Sequence, residues 1–143
     1  MWERWNSDIG DVSMNSYNHY AFGAIVGFLY RRIAGIDAMH PGFKRARIRP
    51  LVSGRLNQAG ATYDSRSGRF RTDWSKNPDG SFELALAVPA NSGAEVHLPA
   101  GRSGHYSEGR LPLQRRRGIR ILSRTHAGIV LEVGSGEYNF RVT

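Results

Sequence analysis

Between residues 16 and 34 apolar side chains recur at helical spacing: Tyr17, Tyr20, Ala21, Ala24, Phe28 and Leu29, with Ile25 beside them. The pattern predicts a helix. Ser13 or Asn15 is the candidate N-cap, Arg31 and Arg32 fall in the last turn where cations suit the helix dipole, and Gly35 is placed to end it. Pro41 lies beyond the stop. The apolar residues occupy more than one face, and Gly23, Ala24 and Gly27 would let a neighbour approach the backbone closely. Such a helix packs on two sides. One helix ahead of a β domain does not supply both.

From Phe43 onward the period changes from helical to alternating. "FKRARIRPL" alternates imperfectly over Phe43, Ala46, Ile48 and Leu51. "GATYDS" leads into "GRFRTDWSK", where Phe70, Thr72 and Trp74 alternate with Arg69, Arg71 and Asp73. In "NPDGS", Pro78 pre-sets φ and Gly80 permits a positive φ, so a turn is expected. "SFELALAVP" then puts Phe82, Leu84, Leu86 and Val88 on one face, and "AEVHLP", "GIVLEVGS" and "GEYNFRVT" follow. Short strands separated by turn signals predict a mainly β chain built as an antiparallel β-sandwich. The boundary between helix and sandwich is expected near residues 35 to 42. Ahead of the helix, residues 1–15 read as a loop, in which Trp2 and Trp5 bracket Glu3 and Arg4. No internal repeat is visible.

Composition narrows this reading. A chain of 143 residues, 40% hydrophobic and 22% charged, can bury a core and is globular in character. With no cysteine, disulfide frameworks and thiolate metal sites are excluded. No apolar run approaches the roughly 20 residues needed to span a bilayer, and no apolar leader opens the chain. The cytoplasm is then the default expectation, although a portion of a longer chain would say nothing about export. The formal charge of +8 is concentrated: from 102 to 127, seven arginines (Arg102, Arg110, Arg115, Arg116, Arg117, Arg120 and Arg124) face one acid, Glu108.

The order of motifs carries a resemblance. "NSYNHYAFGAIVGFLYRRIAGID", "PGFKRARIRP", "VPANSGAEVHLPAG" and "VLEVGSGEYNF" resemble the C-terminal end of bacterial α-L-rhamnosidases, glycoside hydrolase family 78, and "MWERW" is similar to that family's Trp-Glu-Arg-Trp stretch. The likeness weakens between about 102 and 127. It implies a catalytic α/α barrel followed by a β-sandwich, so that residues 1–40 would be the barrel's terminal loop and helix, and residues 41–143 the sandwich. The two-sided helix would then have its partners in the rest of the barrel.

The resemblance also implies a chemistry. The family removes terminal α-L-rhamnose with inversion, which takes one carboxyl as general acid and a second as base for the attacking water. The family's base falls on Glu3, and a sugar-contacting histidine falls on His19. The general acid belongs to an upstream barrel motif that this chain does not contain, so the chain is expected to be inactive alone. Trp2 and Trp5 could wall the apolar face of a deoxy sugar, and Arg4 would favour the ionised form of Glu3. The partners implied are a rhamnosylated glycoside in the intact enzyme and the missing barrel, or a second copy of the chain through the helix. No cofactor is implied.

Each of these residues also has a plainer role. Glu3 could be a solvated terminal carboxylate, His19 a satisfied structural group, Trp2 and Trp5 barrel packing, and Tyr17, Tyr20 and Phe28 core. His97 stands two residues from Glu95, His105 and His126 lie in the weakly matching stretch, and His40 precedes Pro41. None is assigned as a metal ligand. "GSGEY" is read as a turn between strands rather than a phosphate loop. "LQRRRGIRILSR" could hold phosphates by charge, but it lacks interleaved aromatics and any nucleic-acid motif, so an exposed basic loop and edge strand is expected. A non-catalytic sandwich module and a basic interaction domain are the competing readings.

Overall fold

A computed structural model of the chain describes residue 16 and residues 18–52 and 54–143. The helix α1 spans Tyr20–Phe28 and continues as a π-helical segment, Leu29–Ala34. It begins later than the periodicity predicts, with His19 in the N-cap position and no side-chain cap bond; Ser13 and Asn15 lie outside the described residues. Gly35 ends the helix in the left-handed conformation (φ 80°, ψ 20°), with Arg31 and Arg32 in the last turn, as expected.

Eleven strands follow among the described residues: β1 (Ile36–Ala38), β2 (Arg45–Ile48), β3 (Gln58–Ser65), β4 (Gly68–Lys76), β5 (Phe82–Val88), β6 (Gly93–Pro99), β7 (Tyr106–Glu108), β8 (Leu111–Pro112), β9 (Ile119–Thr125), β10 (Gly128–Val133) and β11 (Gly136–Val142). They form a five-stranded sheet, β1-β2-β6-β10-β9, and a six-stranded sheet, β3-β4-β5-β11-β7-β8. All pairings are antiparallel except β2 with β6, which is parallel. No hairpin joins these two strands; β3 to β5 intervene, and a long connection permits a parallel pair. β1 was not apparent in the sequence. It falls inside the 35–42 stretch, and its Ile36 is only 2% exposed.

The alternation seen in the sequence becomes the inner lining of both sheets. Phe70, Thr72 and Trp74 on β4, Phe82, Leu84, Leu86 and Val88 on β5, and Phe140 and Val142 on β11 are all buried. Facing them are Ile48 on β2, Val96 and Leu98 on β6, and Ile129, Leu131 and Val133 on β10. Removing each such side chain from water contributes about 1.5–3 kcal/mol, and this term drives the two sheets together. The expected turn is present: Gly80 N–H donates to Asn77 O (2.9 Å) with Gly80 at φ 85°, and Asp79 Oδ1 accepts from Ser81 N–H (2.8 Å).

The arginine-rich stretch supplies the edges of both sheets on one side of the sandwich: β8 closes the six-stranded sheet and β9 the five-stranded one. The edge strand β9 shifts register against β10, with Val130 opposite Ser123 and Leu131 opposite Ile121, so Leu122 is extruded as a bulge. A bulged, basic edge discourages pairing with another sheet. One feature of this stretch gave no sequence signal. Glu108, its single acid, is 4% exposed.

Candidate functional site

Of the residues singled out by resemblance, Trp2, Glu3 and Trp5 lie outside the described residues. His19 is described. It sits half-buried at the N-cap of α1 with extended backbone (φ −72°, ψ 117°), its ring 5.6 Å from that of Tyr20. An imidazole can both donate to and accept from hydroxyls, and its N-cap place holds it at the end of a regular helix rather than within a loop.

Among the described side chains, the covered positions of the helix form one stripe. Gly27, Tyr30, Ile33 and Ala34, spaced three or four apart, are the half-buried and buried positions. Other described apolar side chains are open: Tyr20 is 83% exposed, Ile25 54% and Leu29 48%, with Val26 and Phe28 also exposed. Within this chain Tyr20 and Phe28 are uncovered, and Tyr17 lies outside the described residues. The angular spread of the open positions leaves apolar surface around most of the helix, the two-sided character anticipated from sequence. Soluble surfaces rarely carry such a concentration without a partner.

Where helix and sandwich meet, aromatic rings run in series into the core. Tyr30 meets Tyr63 edge-on (6.0 Å between centroids), Tyr63 lies over Phe43 (4.4 Å), and Phe43 reaches buried Phe70 (5.8 Å). A cavity of about 480 Å³ beside this series is lined by residues of α1 and by Asp37, Ala38, Phe43 and Tyr63. Phe43 is not a strand residue, contrary to the alternation. It holds a positive φ of 59° directly after Gly42 at 68°, an unfavourable backbone for a bulky residue. Ser67 Oγ donates to Gly42 O (3.2 Å) and ties this turn to the β3–β4 hairpin.

The outward face of the five-stranded sheet carries a charge row. Glu95 on β6 lies directly opposite Glu132 on β10, and each carboxylate meets two basic side chains. Glu95 Oε1 takes His97 Nε2 at 2.8 Å and Arg47 Nε at 3.3 Å. Glu132 pairs with Arg45 (2.6 Å) and with Arg120. Partial burial alone would raise the Glu95 carboxyl, but hydrogen bonds from His97 and Arg47 outweigh it and hold the group below its ordinary value. The Arg120 hydrogen bond holds Glu132 low as well. Among the described residues, no three His, Cys, Asp or Glu side chains converge to hold a metal ion. No described helix is long and apolar enough to cross a membrane.

Several arginines of the basic stretch are engaged. Arg116 pairs with Glu108, Arg120 with Glu132, and Arg124 lies over the Tyr106 ring (5.7 Å).

Comparison with known proteins finds two family matches that adjoin along the chain. Residues 35–110, more than half of the chain, match the bacterial α-L-rhamnosidase C-terminal domain, and residues 1–33 match the bacterial α-L-rhamnosidase 6 hairpin glycosidase domain. An α-L-rhamnosidase of Streptomyces avermitilis is 36% identical over 147 residues, covering 99% of this chain and 13% of that protein. One from Formosa agariphila is 30% identical over 146 residues, with 99% and 16% covered. The crystal structure of the S. avermitilis α-L-rhamnosidase complexed with L-rhamnose superposes with a TM-score of 0.81 at 35% identity, over 100% of this chain and 14% of that one. The Dictyoglumus thermophilum α-L-rhamnosidase gives 0.81 at 34% identity, over 99% and 16%. The chain thus spans only 13–16% of the length of these relatives.

Proposed function

The chain belongs to the family of the bacterial α-L-rhamnosidase C-terminal domain, and from that premise we propose that it serves as the C-terminal portion of an inverting glycoside hydrolase that removes terminal α-L-rhamnose from glycosides. Residues 1–34 are its share of the barrel, and the sandwich begins with β1, a strand of the five-stranded sheet. The observation that carries this reading is the helix of residues 20–34: Tyr20, Ile25, Val26, Phe28 and Leu29 are open, which suits burial among neighbouring helices of a barrel.

Glu3 acts as the base that deprotonates water, and the general acid comes from the barrel segment ahead of this chain. Inversion places the two carboxyl groups about 6.5–9.5 Å apart, with room for water between base and sugar. His19 contacts sugar hydroxyls, and Trp2 and Trp5 pack on the deoxy sugar's apolar face. The chain alone therefore has half of the catalytic pair and turns nothing over.

An aryl α-L-rhamnoside tests this. The 143-residue chain releases no phenol, whereas the chain fused to its upstream barrel does, and Glu3→Gln abolishes that release. Turnover by the chain alone that Glu3→Gln removes would overturn the assignment of the acid to another segment. Self-association through the open helix is the outcome expected for the isolated chain, read by light scattering.

A second reading draws on the sandwich's well-filled core: a non-catalytic module kept for stability or weak carbohydrate binding. An upstream reading frame that encodes no barrel would favour it.

A further inference from the structure

The end of the helix has orphan carbonyls that its own backbone leaves without partners, as every helix does. Here four consecutive ones are taken up by the sandwich. Arg32 O accepts from Leu51 N–H (2.7 Å), Ile33 O from the Trp74 indole N–H (2.8 Å), Ala34 O from the Thr72 hydroxyl (2.9 Å), and Gly35 O from Arg49 N–H (2.8 Å). Two donors are backbone groups of the segment after β2. The other two are side chains on β4, two residues apart and thus on one face of the strand.

The dependence runs both ways. Thr72 is 0% exposed and Trp74 2% exposed, so neither donor has water as an alternative. Gly35 fixes the geometry: a Cβ there would stand 2.3 Å from Pro50 N, so the 49–51 backbone closes on the helix end only over a glycine.

We propose that the sandwich is the C-terminal cap of this helix and that Thr72 and Trp74 are positioning residues, which set the direction of the helix and so the place of His19 at its other end. The consequence for His19 rests on the reading of residues 16–34 as barrel; the clamp itself does not. The helix from 20 to 34 is about 20 Å long at ~1.5 Å per residue. A tilt of about 10° at the clamp therefore carries His19 sideways by roughly 3–4 Å. Misplacement by even ~1 Å can cost on the order of 100-fold in rate at a reacting centre. On this view the accessory domain orients one element of the site without touching substrate.

The absence of cysteine makes the test direct. Spin labels at Ala24→Cys, on an exposed helix position, and Ser123→Cys, on exposed β9, report the helix direction as a distance distribution in the 143-residue chain, diluted into excess unlabelled chain so that pairs within one molecule are read even where copies associate. The parent gives one narrow distribution. Thr72→Val keeps the shape of the side chain but removes the donor, and Trp74→Phe removes the indole N–H; together they should at least double the width of the distribution. Thr72→Ser, which restores the hydroxyl, should return the Thr72→Val chain to the narrow form. Loss of folding stability alone lowers the melting temperature without altering the distance below it. A folded Thr72→Val or double variant, verified by circular dichroism, with an unchanged narrow distribution would overturn the clamp. This outcome is separate from failure of the glycosidase reading, which the rhamnoside assay decides.

Discussion

Replacing Glu108 by alanine removes the one buried carboxylate of the arginine-rich edge. Glu108 Oε1 accepts from Asn139 N–H (3.3 Å), and Oε2 has the Arg116 guanidinium as its charge partner without an aligned hydrogen bond. Two effects follow from the deletion. The Asn139 amide loses its partner; the bond is only partly buried, so water can replace it in part and the cost is about 1 kcal/mol, the low end for a lost acceptor. Breaking a fully buried ion pair costs about 3–5 kcal/mol. The Arg116 side chain is 39% exposed, however, so water rescues part of its charge and the lower end of that range applies. We expect Glu108→Ala to destabilise the chain by about 3 kcal/mol, and Glu108→Gln, which keeps the acceptor toward Asn139 but loses the charge, by roughly half as much. Urea unfolding followed by Trp fluorescence measures both, and a double-mutant cycle with Arg116→Met isolates the pair. The melting temperature should fall by on the order of 10 °C for the alanine variant. If Glu108→Ala unfolds within about 0.5 kcal/mol of the parent, the carboxylate is not the fastener of this edge and the reasoning fails.

Gly35→Ala should cost about 3 kcal/mol or more, because alanine resists the left-handed backbone and its methyl overlaps Pro50; calorimetry would reveal it as an early-melting helix or as no folded protein. Leu84→Ala, at a fully buried centre of β5, should lower stability by about 2–5 kcal/mol in the same urea assay. The Glu95 carboxyl is held below its ordinary value of 4.5, so its contribution is present in full above that value and lost as pH falls through the lower folded one. Glu95→Gln should therefore lower stability in the neutral region, flatten the acid limb below about pH 4.5, and bring variant and parent together at low pH. Ile25→Gln with Leu29→Gln should reduce self-association, measured by light scattering, without a loss of melting temperature, since both side chains are exposed.

The parts of this fold that were legible in sequence are those where one physical requirement acts alone. β5 buries every second residue between two sheets, and its alternation over Phe82, Leu84, Leu86 and Val88 was plain. The turn at Pro78–Gly80 and the stop at Gly35 were legible because each needs a backbone that few residues adopt. β1 was hidden because three residues are too short for a period, and the parallel pairing of β2 with β6 because local pattern carries no strand direction. Phe43 looked like a strand position because hydrophobicity does not distinguish a strand from an aromatic held at positive φ. Glu108 stood out only as the single acid among seven arginines. Its burial depends on Arg116 and Asn139, which meet it only after folding. At the site, the family motif marked His19, and the helix periodicity located the element that carries it. No motif marked Thr72 or Trp74, whose polar atoms act on carbonyls 38 and 41 residues away.

Those two donors also bear on what separates a barrel helix from an accessory sandwich. The matches to the two rhamnosidase domains meet between residues 33 and 35. At that junction Ile33 O and Ala34 O are held from β4, Ala34 and Ile36 are buried, and Gly35 is closed over by the 49–51 backbone. A domain boundary drawn from composition falls where polar and glycine residues cluster, because linkers are usually exposed and make few contacts. Here glycine serves the opposite purpose: it lets two backbones approach too closely for any side chain. The same residue type thus signals a linker in one context and a weld in another, and only the neighbours decide which. The sandwich needs the helix end to satisfy two buried donors, and the helix end needs the sandwich to satisfy its carbonyls, so at this junction each part depends on the other.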